Sequence, residues 1–73
     1  MEVRFEFFND GETIPFCRTR PVEVSDRADA MGLGVDSANM RFMRAHRTTV
    51  QKPDGTWRAE WTRTTGRWSE DDA

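Results

Sequence analysis

Nucleophilic and acid–base chemistry need a histidine, a thiol or paired carboxylates with a neighbour that activates them, and this 73-residue chain holds one histidine, His46, and one cysteine, Cys17. A lone imidazole would have to carry out every proton transfer unaided, because no Ser/His/Asp or Cys/His set can be assembled around it. The carboxylate pairs Asp26/Asp29 and Asp71/Asp72 lie in polar sequence, not in the apolar surroundings that tune a general acid. The first pair suits a helix N-terminus and the second a solvated tail. Cys17 has no neighbouring charge pattern that singles it out and reads as an inert, buried or half-buried thiol. One cysteine excludes an intrachain disulfide, and one His with one Cys excludes a Cys/His zinc set. Neither catalysis, a cofactor nor a bound metal is expected.

The residues that remain chemically expressive are arginines, tryptophans and carboxylates, and they are segregated. Residues 1–36 carry four arginines against eight carboxylates, net −4; residues 37–67 carry seven cations against Asp54 and Glu60, net +5; the last six residues add −3. The formal net charge of −2 hides a basic, Trp-bearing segment between two acidic ones, as expected of a surface that meets another macromolecule. Arg41, Arg44, Arg47, Arg58, Arg63, Arg67 and Trp68 are the candidate partner-binding residues, since Arg and Trp are the side chains most often found as interface anchors. The bias of ten arginines to one lysine fits recognition of carboxylates or phosphates by planar forks, and fits a GC-rich coding sequence equally well.

These side chains need elements to position them. Val3, Phe5 and Phe7 alternate with Arg4 and Glu6, the period of a half-buried strand. Asp10-Gly11 as a two-residue loop would set Phe7 opposite Ile14 and Phe5 opposite Phe16, gathering the apolar side chains on one face and leaving Phe8 on the other. Pro15 lacks an N–H for the ladder, which puts that second strand at an edge. Ser25 is the expected N-cap of a short helix with Ala28, Met31 and Leu33 as its apolar stripe and Gly34 as its αL exit. Residues 41–51 read as a strand, with a second helix capped near Asp36-Asn39 as the alternative. Lys52-Pro53-Asp54-Gly55 decides for a strand, because it is a type I turn ending in a glycine bulge.

A small α+β domain follows: an antiparallel sheet of two hairpins with one short helix, β-β-α-β-β, spanning 1–67, and an acidic tail, 68–73, that is either free or held to the sheet by Trp68. The second hairpin admits two pairings, Trp57 opposite Gln51 or opposite Val50. The second, a core position for Trp57 and Trp61, is favoured because so few other large apolar residues are available. At this length the core is small and independent stability marginal. The charged start Glu2-Val3-Arg4-Phe5-Glu6 and the lack of a long apolar run point to a reduced, cytoplasmic protein with no membrane association.

Protein binding is the first functional expectation, with complementary charge for steering and Arg/Trp/Phe anchors for affinity. A merely solvated charged surface comes second. Third is single-stranded nucleic acid or RNA, with arginines on phosphates and Trp57 and Trp61 stacking bases. Net charge −2 and a pI near 5.3 weigh against that third role. Short, free of disulfides, without catalytic residues and split into charge blocks, the chain resembles the small host-takeover proteins of bacteriophages that bind bacterial RNA polymerase and alter initiation or termination. That resemblance implies a monomer acting in the host cytoplasm, a transcription inhibitor or antitermination factor docked on a large protein complex near a nucleic-acid channel. It transfers no functional residue.

Overall fold

The computed structural model describes residues 1–72. Strands β1 (Glu2–Phe8), β2 (Cys17–Arg18) and β3 (Val22–Glu23) lead into helix α1 (Arg27–Ala38), and β4 (Arg47–Gln51), β5 (Trp57–Thr62) and β6 (Arg67–Asp72) follow. The strands form one antiparallel sheet in the order β2-β1-β4-β5-β6, with β3 pairing the first part of β1. α1 lies across β1 and β4. This is the expected small α+β fold, with two strands beyond the β-β-α-β-β outline: β3, and β6 drawn from the acidic tail. Of that tail only residue 73 lies outside the described residues.

Alternation builds the core. Val3, Phe5 and Phe7 of β1 are buried toward the helix, and Thr48 and Val50 of β4 and Trp57, Ala59 and Trp61 of β5 continue the same face. Both tryptophans are therefore core residues, but through neither pairing foreseen. Val50 lies opposite Ala59 and Thr48 opposite Trp61, because the Lys52 N–H bonds the Trp57 carbonyl and residues 53–56 form the loop. The turn itself is as expected, closed by the Gly55 N–H on the Lys52 carbonyl at 2.9 Å with Gly55 at φ +79°. Asp54 explains the extra loop residue. Its carboxylate accepts from the Thr56 hydroxyl at 2.7 Å and from the Thr56 N–H at 3.0 Å, holding Thr56 out of the ladder.

The same two bonds, the hydroxyl first, hold the Asp54 carboxyl below the ordinary aspartate value. With the folded value below that of the unfolded chain, the carboxylate favours the closed turn at neutral pH, and that contribution is lost as pH falls through the depressed folded value. A carboxyl-detected NMR titration is expected to find Asp54 ionising below free aspartate, and Thr56→Val should move it back toward the ordinary value.

The first hairpin pairs differently from the sequence expectation. Phe7 lies opposite Cys17 and Glu6 opposite Arg18, not Phe7 opposite Ile14. Asp10-Gly11 does turn, with Glu12 N–H on the Asn9 carbonyl at 3.2 Å and Gly11 at φ +72°, but the chain rejoins β1 only at the Phe16 N–H bond to the Phe7 carbonyl. Pro15 cannot donate to a ladder, so residues 13–15 stay outside it. As a result Ile14 is 77% and Phe16 43% exposed, and neither joins the core. Farther along, Val3 lies opposite Val22, one residue out of step with the β2 pairing. That extra residue is a bulge, and Thr19 Oγ1 accepts the Phe5 N–H there at 3.0 Å.

α1 is capped by Asp26 rather than Ser25. The Asp26 carboxylate accepts the Asp29 N–H at 2.8 Å, and the Asp29 carboxylate accepts the Ser25 N–H at 2.9 Å, a reciprocal cap displaced by one residue. Gly34 does not end the helix, which runs to Ala38 with Asn39 as its C-cap; no second helix starts there. Its buried stripe is Ala30, Gly34 and Ala38 at four-residue spacing, whereas Ala28 and Leu33 of the expected stripe are exposed and Met31 is half-buried. Small residues are required because the surface beneath is aromatic. A Cβ at Gly34 would sit 3.1 Å from the Trp68 ring and 3.3 Å from the Phe5 ring.

Candidate functional site

Folding undoes much of the charge segregation. The basic β4–β5 hairpin sits between β1, which contributes Glu6, and the acidic β6. On the face away from the helix Arg18 pairs Glu6 at 2.8 Å, Arg47 pairs Glu60 at 3.2 Å, and Arg58 reaches Glu60 at 3.8 Å with Asp71 opposite it in register. Basic and acidic side chains alternate across this open face, which is a mixed field and not a basic platform.

The seven candidate residues fall into separate places. Arg47 is committed: its guanidinium lies 3.7 Å over the Phe8 ring and donates to the Glu12 carbonyl at 3.1 Å. It thereby covers Phe8, 5% exposed, and pins loop 9–16. Arg63 is committed too. Its Nε donates to the Ala45 carbonyl at 3.0 Å and its terminal nitrogen to the Ala38 carbonyl at 3.1 Å, with the guanidinium 5.3 Å over the Trp61 ring. α1 has no basic residue in its last turn, so Arg63 supplies the cation that the helix C-terminus favours. Trp68 lies opposite Trp61 on the helix side, half-buried beneath Gly34, and holds the tail to the sheet. Arg58 and Arg67 remain on the open face near β6. Arg41 and Arg44 stand together, both exposed, in the turn between α1 and β4.

That turn carries what the residue types alone did not single out. Met40 is 49% and Phe42 81% exposed, alongside Arg41 and Arg44. Its backbone is tightly wound: the Met43 and Arg44 N–H groups both bond the Met40 carbonyl at 2.9 Å, and Arg44 sits at φ +36°. A left-handed arginine costs on the order of 1 kcal/mol and persists only where the surroundings enforce it. Arg63 and the Ala45 N–H, both on the Ala38 carbonyl, enforce it from one side.

Loop 9–16 lies at the same end of the sheet. Phe8, Arg47, Thr62 and Arg67 form one row across four strands, and loops 9–16, 39–46 and 63–66 all leave from it. His46 ties them together, with its N–H on the Phe8 carbonyl, its carbonyl accepting from Arg63, and its ring 3.4 Å from both Asp10 and Thr64 Oγ1. Loops at this end of the sheet thus display Ile14 and Phe16 on one, and Met40 and Phe42 with exposed Arg41 and Arg44 on another. A clue was present in the sequence: Ile14-Pro15-Phe16 cannot run as a ladder, and Met40, Phe42 and Met43 follow a helix already long enough.

No family model, curated protein or solved structure matches the chain. Among the described residues no group of three or more His, Cys, Asp or Glu could hold a metal ion, and no helix is long and apolar enough to cross a membrane. Depressions on the surface are open. One, about 400 Å³, runs beside Glu60, Arg67 and Trp68, and another, about 240 Å³, lies among Arg4, Glu6, Arg18 and Gln51.

Proposed function

We propose that the chain is a small non-enzymatic regulator that binds a larger protein through the loop end of its sheet. The observation that carries this is the exposure of Phe42, 81%, and Ile14, 77%, in a domain that buries Trp57 and Trp61. An aromatic ring with flanking arginines is the usual composition of an interface anchor, and large apolar side chains exposed on loops that leave one end of so small a domain suit a contact surface. Arg41 and Arg44 would steer an acidic partner surface and leave affinity to Phe42, Ile14 and Met40. A large bacterial machine, RNA polymerase among them, is the target class that the resemblance to phage takeover proteins implies.

Nucleic acid is the weaker proposal on the same grounds. Trp57 and Trp61 are 0% and 5% exposed and Phe8 lies under Arg47, so stacking on exposed strand aromatics, the usual source of single-strand affinity, has no platform on this sheet.

Phe42→Asp and Ile14→Asp are each expected to abolish retention of the partner while leaving the melting curve within a few degrees of the parent, since exposed substitutions change stability by less than about 0.5 kcal/mol. The measurement is affinity capture from bacterial lysate with and without nuclease, followed by binding of purified RNA polymerase. A partner retained after nuclease and lost in both variants supports protein docking here. Loss of everything on nuclease treatment, or unchanged capture by both variants, refutes it.

A further inference from the structure

β6 ends the strand order, with β5 as its neighbour on one side and α1 set back over β1 and β4. It pairs β5 without interruption from Arg67 to Asp72 and contains no proline or bulge; of the devices that blunt an edge it carries charged side chains, Arg67, Glu70 and Asp71, so a further strand can pair with it only where those charges are matched. Which of its main-chain groups are free follows from β5. The Trp57 carbonyl takes the Lys52 N–H, and the Arg63 N–H just past the strand bonds His46, so odd-numbered residues of β5 address β4 and even-numbered ones address β6. Arg58 and Glu60 therefore direct their main-chain groups at Asp71 and Ser69, their partners in register. Trp68, Glu70 and Asp72 direct their N–H and C=O groups outward.

We propose that this edge pairs antiparallel with the β6 edge of a second copy of the chain, centred on Ser69, joining the two sheets into one. This replaces the monomer expected from the sequence and is independent of the Phe42 surface. Two-fold symmetry perpendicular to the sheet makes the contact isologous, and side chains that meet must share a face, which restricts the centre of pairing. Centred on Ser69, Trp68 and Glu70 exchange their outward main-chain bonds with Glu70 and Trp68 of the second copy. Arg67 then meets Asp71 of the second copy on the open face, at the closely spaced, non-hydrogen-bonded positions. The row Arg58, Asp71, Arg67 of the second copy alternates in sign. Centred instead on Glu70, the strand would set Glu70 against its own copy, like charge on like. Centred on Trp68, Arg67 would face only Ser69. The sequence of β6, a cation at its start and carboxylates toward its end, is complementary to itself reversed, which a strand meant to stay alone or to recruit a basic partner strand does not need.

Sedimentation from micromolar to millimolar concentration tests this with the intact chain. The wild type is expected to pass from monomer to dimer. Arg67→Asp and Asp71→Arg, each placing like charges opposite one another at both symmetric positions, should each weaken the dimer by about tenfold or more. Mixed in equal amounts, those two variants should associate again, because each supplies the charge that the other lacks. Ser69→Cys in a Cys17→Ser background reports the register by itself, even if a charge variant fails to fold. Non-hydrogen-bonded partners lie about 4.5 Å apart at Cα, within disulfide range, so oxidised glutathione should cross-link this chain into a covalent dimer and leave Glu70→Cys in the same background uncross-linked. A wild type monomeric throughout, association indifferent to both charge reversals, or cross-linking equal at 69 and 70 would overturn the proposal.

Discussion

Phe5→Ala is expected to leave the chain largely unfolded at room temperature. Phe5 is 3% exposed at the centre of β1, its ring 6.4 Å from that of Phe7 and against the backbone of α1 at Gly34. Truncating a buried Phe typically costs about 3–5 kcal/mol through lost transfer energy and the cavity left behind. A domain this small seldom has more than about that in total. The helix cannot settle into the vacancy cheaply, because Gly34 also rests on Trp68. Far-UV circular dichroism and tryptophan fluorescence should both show the loss, since Trp57 and Trp61 share the same core. A cooperative melt within a few degrees of the parent would mean that Phe5 does not sit in this core.

Arg63→Glu should lower stability by about 2–4 kcal/mol, while Arg44→Glu, equally a charge reversal in the basic segment, should change it by less than about 0.5 kcal/mol. The difference lies in what each guanidinium touches. Arg63 donates to the Ala38 and Ala45 carbonyls, and a carboxylate there would take that donor from both, the Ala38 carbonyl keeping only the Ala45 N–H, and set a negative charge at the negative end of α1. Arg44 is exposed and makes no ion pair among the described residues. Urea denaturation followed by tryptophan fluorescence compares the midpoints directly. Equal midpoints for the two variants would contradict the helix-capping role of Arg63. Arg63→Lys should recover part of the loss, since one ammonium can serve one carbonyl where the planar fork serves two.

Local patterns settled much of this protein without help from the rest of the chain. The alternation of Val3, Phe5 and Phe7, the αL glycine of the Pro53-Asp54-Gly55 turn, the helix after Ser25 and the exclusion of a disulfide or zinc set all rest on a few neighbouring residues, and so did the α+β class. Register did not. In both hairpins it turned on one residue, Asp54 with its carboxylate on Thr56 and Pro15 with its missing N–H, which shift a pairing by one residue or more and are invisible to a count of apolar positions. Tertiary structure also decided the meaning of the charges. Arg47 and Arg63 look like Arg41 and Arg44 in the sequence, but sheet order sets the first pair against Phe8, Glu60 and the helix C-terminus and leaves the second in solvent. Likewise Ile14 and Phe42, apolar and so assigned to a core or passed over, are exposed because small residues on α1 and the rings of Trp57 and Trp61 already fill the interior. Which side chains remain outside depends on long-range packing, because a close-packed core admits only those that fit and no short window of sequence contains the list of its competitors.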